Sequence, residues 1–247
     1  MPERLQKLIA NAGYGSRRWA ERLIEQGRIS INNKEATLGD KAIITDKITI
    51  DGRLIDLKRY SEEETKVLIL NKQAGIICSN KDEEGRKSVF DFLPENTRWV
   101  MVGRLDLNTS GLLLFTNNGD LANKLMHPSS EIDREYAVRV LGKVEATHIK
   151  ELTNGIELED GFAKFRKVTL GGGDGANRWY HVVLREGRKR EVRRLWEALD
   201  FKVSRLIRTR FGDIRLPDNL RANQSELLKP KQVQLLLNSI NLKNTNK

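Results

Sequence analysis

The sequence predicts an α+β chain in two parts: a compact unit of two helices and short strands over residues 1–60, and a larger domain over 67–230 built on a mainly antiparallel sheet with flanking helices. Three observations carry this. From Val67 onward, strand-sized apolar runs outnumber windows of helical spacing. Several of those runs are joined by short glycine-bearing turns, which favours antiparallel pairing. A polar stretch, KRYSEEETK over 58–66, separates the two parts, and residues 61–66 read as a linker.

In chain order, ERLQKLIAN (3–11) places Leu5, Leu8 and Ile9 at helical spacing. Gly13 and Gly15 break that helix. Ser16 is suited to cap a second helix from Arg17 to about Glu25, which Gly27 ends. Short strands are predicted at Ile29–Ile31, Lys41–Ile44 and Lys47–Ile50, with turns at Asn32–Asn33 and Asp51–Gly52. The larger domain opens on Val67–Leu70. Its further strands are expected at Trp99–Val102, Leu112–Phe115, Glu135–Val140, Ala163–Leu170, Trp179–Arg185 and Val203–Thr209. Helices are expected at Ser88–Leu93, Asp120–His127, Ala146–Thr153 and Glu191–Leu199. After Lys229 the pattern fades, and residues 231–247 read as a frayed C-terminal tail.

At 38% hydrophobic and 32% charged, with both signs interspersed, the chain reads as soluble and globular. The net charge of +10 favours a polyanionic partner, either nucleic acid or an anionic membrane. The longest apolar run, Leu112–Phe115, is only strand-sized, and no basic amphipathic helix shows an exposed aromatic face. Nucleic acid therefore leads, and no membrane is expected. A single cysteine, Cys78, permits no internal disulfide and no Cys-based zinc cluster. His127, His148 and His181 lack ligand spacing, so no metal is expected. The N-terminus lacks a signal-peptide core, which makes the cytoplasm the expected location. A monomer is expected, since no oligomer motif stands out. Charge is uneven: residues 1–60 hold 12 Lys/Arg against 8 Asp/Glu, and residues 185–210 hold 10 against 4.

Four stretches carry candidate chemistry. Gly103-Arg104-Leu105-Asp106-Leu107-Asn108-Thr109-Ser110-Gly111, followed by LLLFT, joins two apolar strands through a polar turn. By spacing alone it is an ordinary hairpin loop. Arg104 beside Asp106 at the mouth of two buried strands raises it, because loops held by rigid strands often carry chemistry. Asp133–Val138, DREYAV, holds Tyr136 in a strand, where a buried tyrosine is common. Glu186–Trp196, EGRKREVRRLW, is a basic helix start whose charges read first as solvated or as phosphate contacts. Ser16-Arg17-Arg18 and Gly27–Asn32, GRISIN, form the fourth. Gly171–Ala176 fits a dinucleotide-loop spacing but lies between two strands, so a hairpin loop is expected there. Glu157, Glu159 and Asp160 read as a turn.

The run GRLDLNTSGLLLFTNNGDLANKLMHPS resembles the central motif of the pseudouridine synthases, in the branch that modifies ribosomal RNA. DREYAVRV and REVRRLWEA resemble the bacterial large-subunit rRNA type, and the resemblance spans about 3–228. The N-terminal unit resembles the S4 RNA-binding domain through SRR and GRISIN. The resemblance implies a synthase domain on a mainly antiparallel mixed sheet, joined by the linker to an S4-like domain. It implies that Asp106 is the catalytic aspartate, acting at C1′ as nucleophile or at C2′ as base. Tyr136 stacks on the base and later takes the C5 proton. Arg193 pairs with Asp106, with Arg194 as the neighbouring register. Arg4, Lys7, Arg17, Arg18 and Arg28 would face phosphates, as would Arg188, Arg190 and Arg194. Arg104 would fill the stack vacated by the flipped base or hold a phosphate. Leu112, Val192 and Leu195 would enclose the pocket. The isomerisation involves no redox change or hydrolysis, so no cofactor is expected. The expected substrate is ribosomal RNA, with the large subunit ahead of small-subunit rRNA or tRNA. A non-catalytic assembly factor is the rival reading.

Overall fold

The computed structural model describes residues 1–58, 64–79, 84–95, 97–173 and 175–244, those of 241–244 by backbone alone. It divides into two compact units, Met1–Thr65 and Lys66–Lys247. Residues 61–63 of the expected linker, Asp174 of the glycine run and the last three residues of the expected tail lie outside the described residues.

In the first unit, β1 (Glu3–Arg4) leads into α1 (Leu5–Asn11) and α2 (Arg17–Glu25). Then follow β2 (Ile29–Ile31), β3 (Lys34–Glu35), β4 (Lys41–Ala42), β5 (Ile48–Ile50) and β6 (Arg53–Leu54). The first helix starts two residues later than its apolar spacing predicts, because Glu3 and Arg4 pair with Ala42 and Lys41. Ser16 caps α2 by accepting from the Trp19 amide at 3.1 Å. The strands form an antiparallel sheet in the order β3-β2-β5-β6. Leu5, Ile9, Leu23 and Ile24 from the helices bury against Ile29 and Ile48.

The second unit begins with β7 (Val67–Lys72), a 3-10 turn at Val89–Phe92, β8 (Val100–Val102), β9 (Ser110–Thr116) and α3 (Gly119–Met126). It continues with β10 (Arg134–Leu141), α4 (Ala146–Asn154), β11 (Ile156–Leu158), β12 (Gly161–Ala163), β13 (Lys167–Gly172) and β14 (Asn177–Leu184). It ends with α5 (Glu191–Glu197), β15 (Lys202–Phe211), β16 (Ile214–Arg215), β17 (Ser225–Leu227) and α6 (Pro230–Asn244). The sheet runs β13-β14-β10-β15-β9-β7-β17, with β16 on β15 and β8 on β9. Among the described strands only β15 and β9 pair in parallel, so the sheet is mixed and mainly antiparallel. Gly171 and Gly172 end β13, which pairs antiparallel with β14, in keeping with the hairpin expected there.

Strand alternation sends side chains to two cores. One face carries Leu68, Leu70, Leu113, Phe115, Tyr136 and Val138, covered by Leu195 and Trp196 of α5. The other carries Val67, Ile69, Leu112 and Leu114, covered by α3 and α6. The predicted strand Ala163–Leu170 is two strands, because Phe165 between them turns into the first core and is fully buried. The predicted tail is corrected as well. Residues 230–244 are a helix whose Val233, Leu236 and Ile240 enter the second core at i, i+3 and i+7. Exposed Leu235 and partly buried Leu237 blur that spacing in the sequence, so only the sheet face picks out the stripe.

The parallel junction has a strict local requirement. Gly111 lies opposite Arg208 with φ +99°, and a Cβ there would overlap the Arg208 carbonyl and sit 2.8 Å from its nitrogen. Gly111→Ala is therefore expected to cost about 3–5 kcal/mol, combining backbone strain with a displaced strand. A shift in the urea midpoint at unchanged slope measures it; a loss below about 1 kcal/mol would show that the strands separate freely.

Candidate active site

Asp106 sits on the loop Gly103–Thr109 between β8 and β9, half-buried, while Arg104 is exposed at the loop's start. Four consecutive carbonyls of this loop are clamped. Thr109 N donates to the Asp106 oxygen at 3.0 Å, and Gly75 N donates to that of Leu107 at 2.8 Å. The Lys72 ammonium donates to the oxygens of Asp106, Leu107 and Thr109 at 3.2, 3.3 and 2.8 Å, and to that of Gln73 at 3.1 Å. Arg193 Nη2 donates to the Asn108 oxygen at 2.9 Å. Among the described residues no hydrogen bond or ion pair engages the Asp106 carboxylate itself. The loop thus spends its backbone on two buried cations and leaves its carboxylate open for chemistry.

The floor is one row of cross-strand neighbours: Lys72, Gly111, Arg208, Tyr136 and Val182. Lys72 is fully buried, Arg208 is 2% exposed and Tyr136 is 8% exposed. Arg208 Nε donates to the Leu112 oxygen at 2.7 Å. The guanidiniums of Arg134 and Arg208 lie 5.1 and 5.5 Å from the Phe211 ring centre, a cation–π arrangement. Arg134 donates to the Ile132 and Arg185 carbonyls. Burial pulls the Lys72 ammonium below its ordinary value, opposed by Cys78 and Asp106 nearby. Burial likewise lowers Arg134, with Tyr136 and Glu191 opposing.

Helix α5 supplies the roof. Val192 and Leu195 join the core that contains Tyr136 and Leu105. Arg193 is 7% exposed and ties the loop to β15 by donating to Val203 O at 2.9 Å. Among the described residues no ion pair joins it to Asp106, which departs from the pairing that the resemblance implied; its Nη1 and Nη2 donate to carbonyls, its buried Nε has no partner, and Asp106 acts on it through space. Burial and Arg190 lower the Arg193 guanidinium, while Asp106 and Glu197 raise it. Leu112 is a second correction. It points to the opposite core because strand side chains alternate, and Gly111 takes the site-facing position. The sequence reading missed Lys72, Arg134 and Arg208. Lys72 left a signal, since it is in phase with Leu68 and Leu70 on the inward side of an apolar strand.

The model for RNA pseudouridylate synthases matches residues 66–198, more than half of the chain, including Lys72, the Asp106 loop, Tyr136 and Arg193. The chain belongs to the RNA pseudouridylate synthase family. The S4 domain model matches residues 3–48 of the synthase. It is 54% identical over 232 residues to a ribosomal large subunit pseudouridine synthase B of Yersinia pestis, covering 92% of this chain and 73% of that one. It is 53% identical over 232 residues to a protein of the same description from Escherichia coli K12, covering 92% and 80%. A crystal structure of a pseudouridylate synthase aligns at TM-score 0.66 and 28% identity, covering 94% of the synthase and 99% of that chain.

Several basic residues expected at RNA are engaged within the synthase. Arg194 grips Asp160 through both oxygens at 2.7 and 2.9 Å. Arg188 donates to the Asp160, Gly161 and Phe162 carbonyls and pairs with Glu186 and the buried Glu191. These two arginines tie the β11–β12 turn, through Asp160, to the start of α5. Arg190 pairs with Glu197 at 2.8 Å. In the S4 unit, Arg28 pairs through two bonds with Asp51, Lys7 pairs with Glu3, and Arg4 donates to Gly39 O. Arg17 and Arg18 are exposed and make no hydrogen bond or ion pair among the described residues. No described helix is long and apolar enough to cross a membrane.

Proposed function

We propose that the synthase isomerises a uridine of large-subunit ribosomal RNA, with Asp106 as its catalytic carboxylate, acting as a single chain in the cytoplasm. The observation that carries the site is the clamped loop. It holds one unengaged carboxylate above a floor bearing Tyr136, with Arg193 close enough to act on it electrostatically. The names of the relatives aligned over 92% of the chain support large-subunit rRNA.

The reaction breaks the N1–C1′ bond of uridine, turns the uracil and forms a C5–C1′ bond. The C5 proton leaves and N1 takes one up, so atoms balance without an added group. The target base must leave its stack to reach Asp106. Exposed Arg104, two residues before it, is placed to fill the gap or hold a neighbouring phosphate. Asp106 acts on the ribose, at C1′ as nucleophile or at C2′ as base. Tyr136 packs against the uracil and takes the C5 proton. Val192 and Leu195 exclude water, which strengthens each charge interaction in the site.

Tritium release from C5-labelled transcripts tests the reading. Large-subunit rRNA should release one equivalent, while small-subunit rRNA and tRNA release none. Release from either of the latter alone would reassign the substrate while leaving the chemistry in place.

A further inference from the structure

The S4 unit carries an open cleft of about 610 Å³ between the α1–α2 turn and the β5–β6 hairpin. Tyr14 and Trp19 form one side; Ile50, Arg53 and Leu54 form the other. Both aromatic rings are pinned. The Trp19 indole lies on Gly15, where a Cβ would come within 2.6 Å of the ring's Cδ2. The Tyr14 hydroxyl accepts from the Asp56 amide at 2.9 Å. Leu54 is 67% exposed, so the far wall is apolar and open to solvent.

The charge around the cleft is positive. Asp51, the one acid in its lining, is bound through both oxygens by Arg28. Arg53 is exposed in the wall, and exposed Arg17 and Arg18 directly precede Trp19 in α2. Pinned aromatic faces beside open guanidiniums match a flat π-surface attached to a phosphodiester. A base gains from stacking, while the arginines meet its flanking phosphates.

We propose that this cleft holds an unstacked nucleobase of the RNA substrate against Trp19, with Arg17, Arg18 and Arg53 at adjacent phosphates. The proposal rests on the reading of the chain as an enzyme of RNA. It gives the S4 unit a base-stacking subsite in addition to its charged grip.

The test is a cycle of full-length proteins and oligomers. Wild type, Trp19→Ala and Trp19→Phe are titrated with an oligouridylate of about twelve nucleotides and with its abasic analogue. Both oligomers carry the same phosphates, and all three proteins share one active site, so only stacking at Trp19 survives the comparison. Trp19→Ala should weaken oligouridylate about tenfold, equivalent to about 1.4 kcal/mol, and change the abasic oligomer by less than about twofold. Trp19→Phe should restore most of the loss, and the retained affinity of Trp19→Ala for the abasic oligomer excludes misfolding as its cause. Trp19→Ala should also raise the KM for rRNA, and Trp19→Phe should return it most of the way. Equal weakening of both oligomers, or of neither, overturns the proposal. An effect confined to protein-containing ribosomal particles also overturns it and assigns the cleft to a protein. A wild type that releases no tritium from rRNA defeats the catalytic reading, while the oligomer cycle still decides the cleft.

Discussion

Asp106→Asn is expected to lower turnover by at least about 10⁴-fold, the scale seen when a nucleophile or its base is removed. Asparagine keeps the shape and removes the charge. The carboxylate makes no bond within the described residues, whereas the Asp106 backbone oxygen is held by Thr109 N and Lys72. The loop should therefore stay in place, with stability within about 0.5 kcal/mol of wild type and RNA affinity nearly unchanged. Single-turnover tritium release, paired with thermal unfolding and RNA binding, separates these effects. Release above about 1% of the wild-type rate, far over the residue expected on that scale, would remove Asp106 from the chemistry.

Lys72→Met is expected to damage both stability and activity. The ammonium is fully buried and donates to four carbonyl oxygens. Methionine fills much of the same volume but donates nothing: the oxygens of Asp106 and Leu107 keep Thr109 N and Gly75 N, while those of Gln73 and Thr109 lose their donor, at a cost of about 2–5 kcal/mol for two buried acceptors. Three of the four belong to the loop that presents Asp106. A displacement of about 1 Å there would lower turnover about 100-fold. The pH dependence gives a second signature. Burial lowers Lys72 from its ordinary 10.5, so between the folded and unfolded values the unfolded chain binds more protons. Stability of the wild type then rises with pH across that window, and Lys72→Met should lose the contribution. Urea unfolding across alkaline pH reads both effects. A midpoint shift below about 1 kcal/mol would show that the loop finds other donors.

The two variants bear on different links. Asp106→Asn removes the reacting group from an intact scaffold, and Lys72→Met leaves the group and loosens its support. Their contrast tests whether the site depends on the carboxylate alone or also on the cation beneath it.

Local pattern was enough for the two-part division, the S4 helices, most strands and the Asp106 loop. Each depends on spacing or turn chemistry that neighbouring residues set by themselves. Asp106, Tyr136 and Arg193 stood out only through the resemblance of their motifs to a family, since spacing alone read them as a hairpin turn, a buried strand tyrosine and a solvated helix start; Val192 and Leu195 share one core with Tyr136. Where local pattern misled, a distant partner was responsible. The residues after Lys229 lose clear spacing and read as a frayed tail until a sheet face receives Val233, Leu236 and Ile240. Leu112 reads as a pocket wall until strand phase turns it away and leaves Gly111 facing β15. Arg188 and Arg194 read as phosphate contacts until the β11–β12 turn brings Asp160 to them. Lys72 lies more than thirty residues before the loop that it clamps, and Arg208 almost a hundred after Leu112. The sequence determined which groups were available for chemistry and which segments could fold locally. Tertiary structure decided which cations meet the Asp106 loop, because strand pairing across the sheet sets those neighbours and no local spacing encodes it.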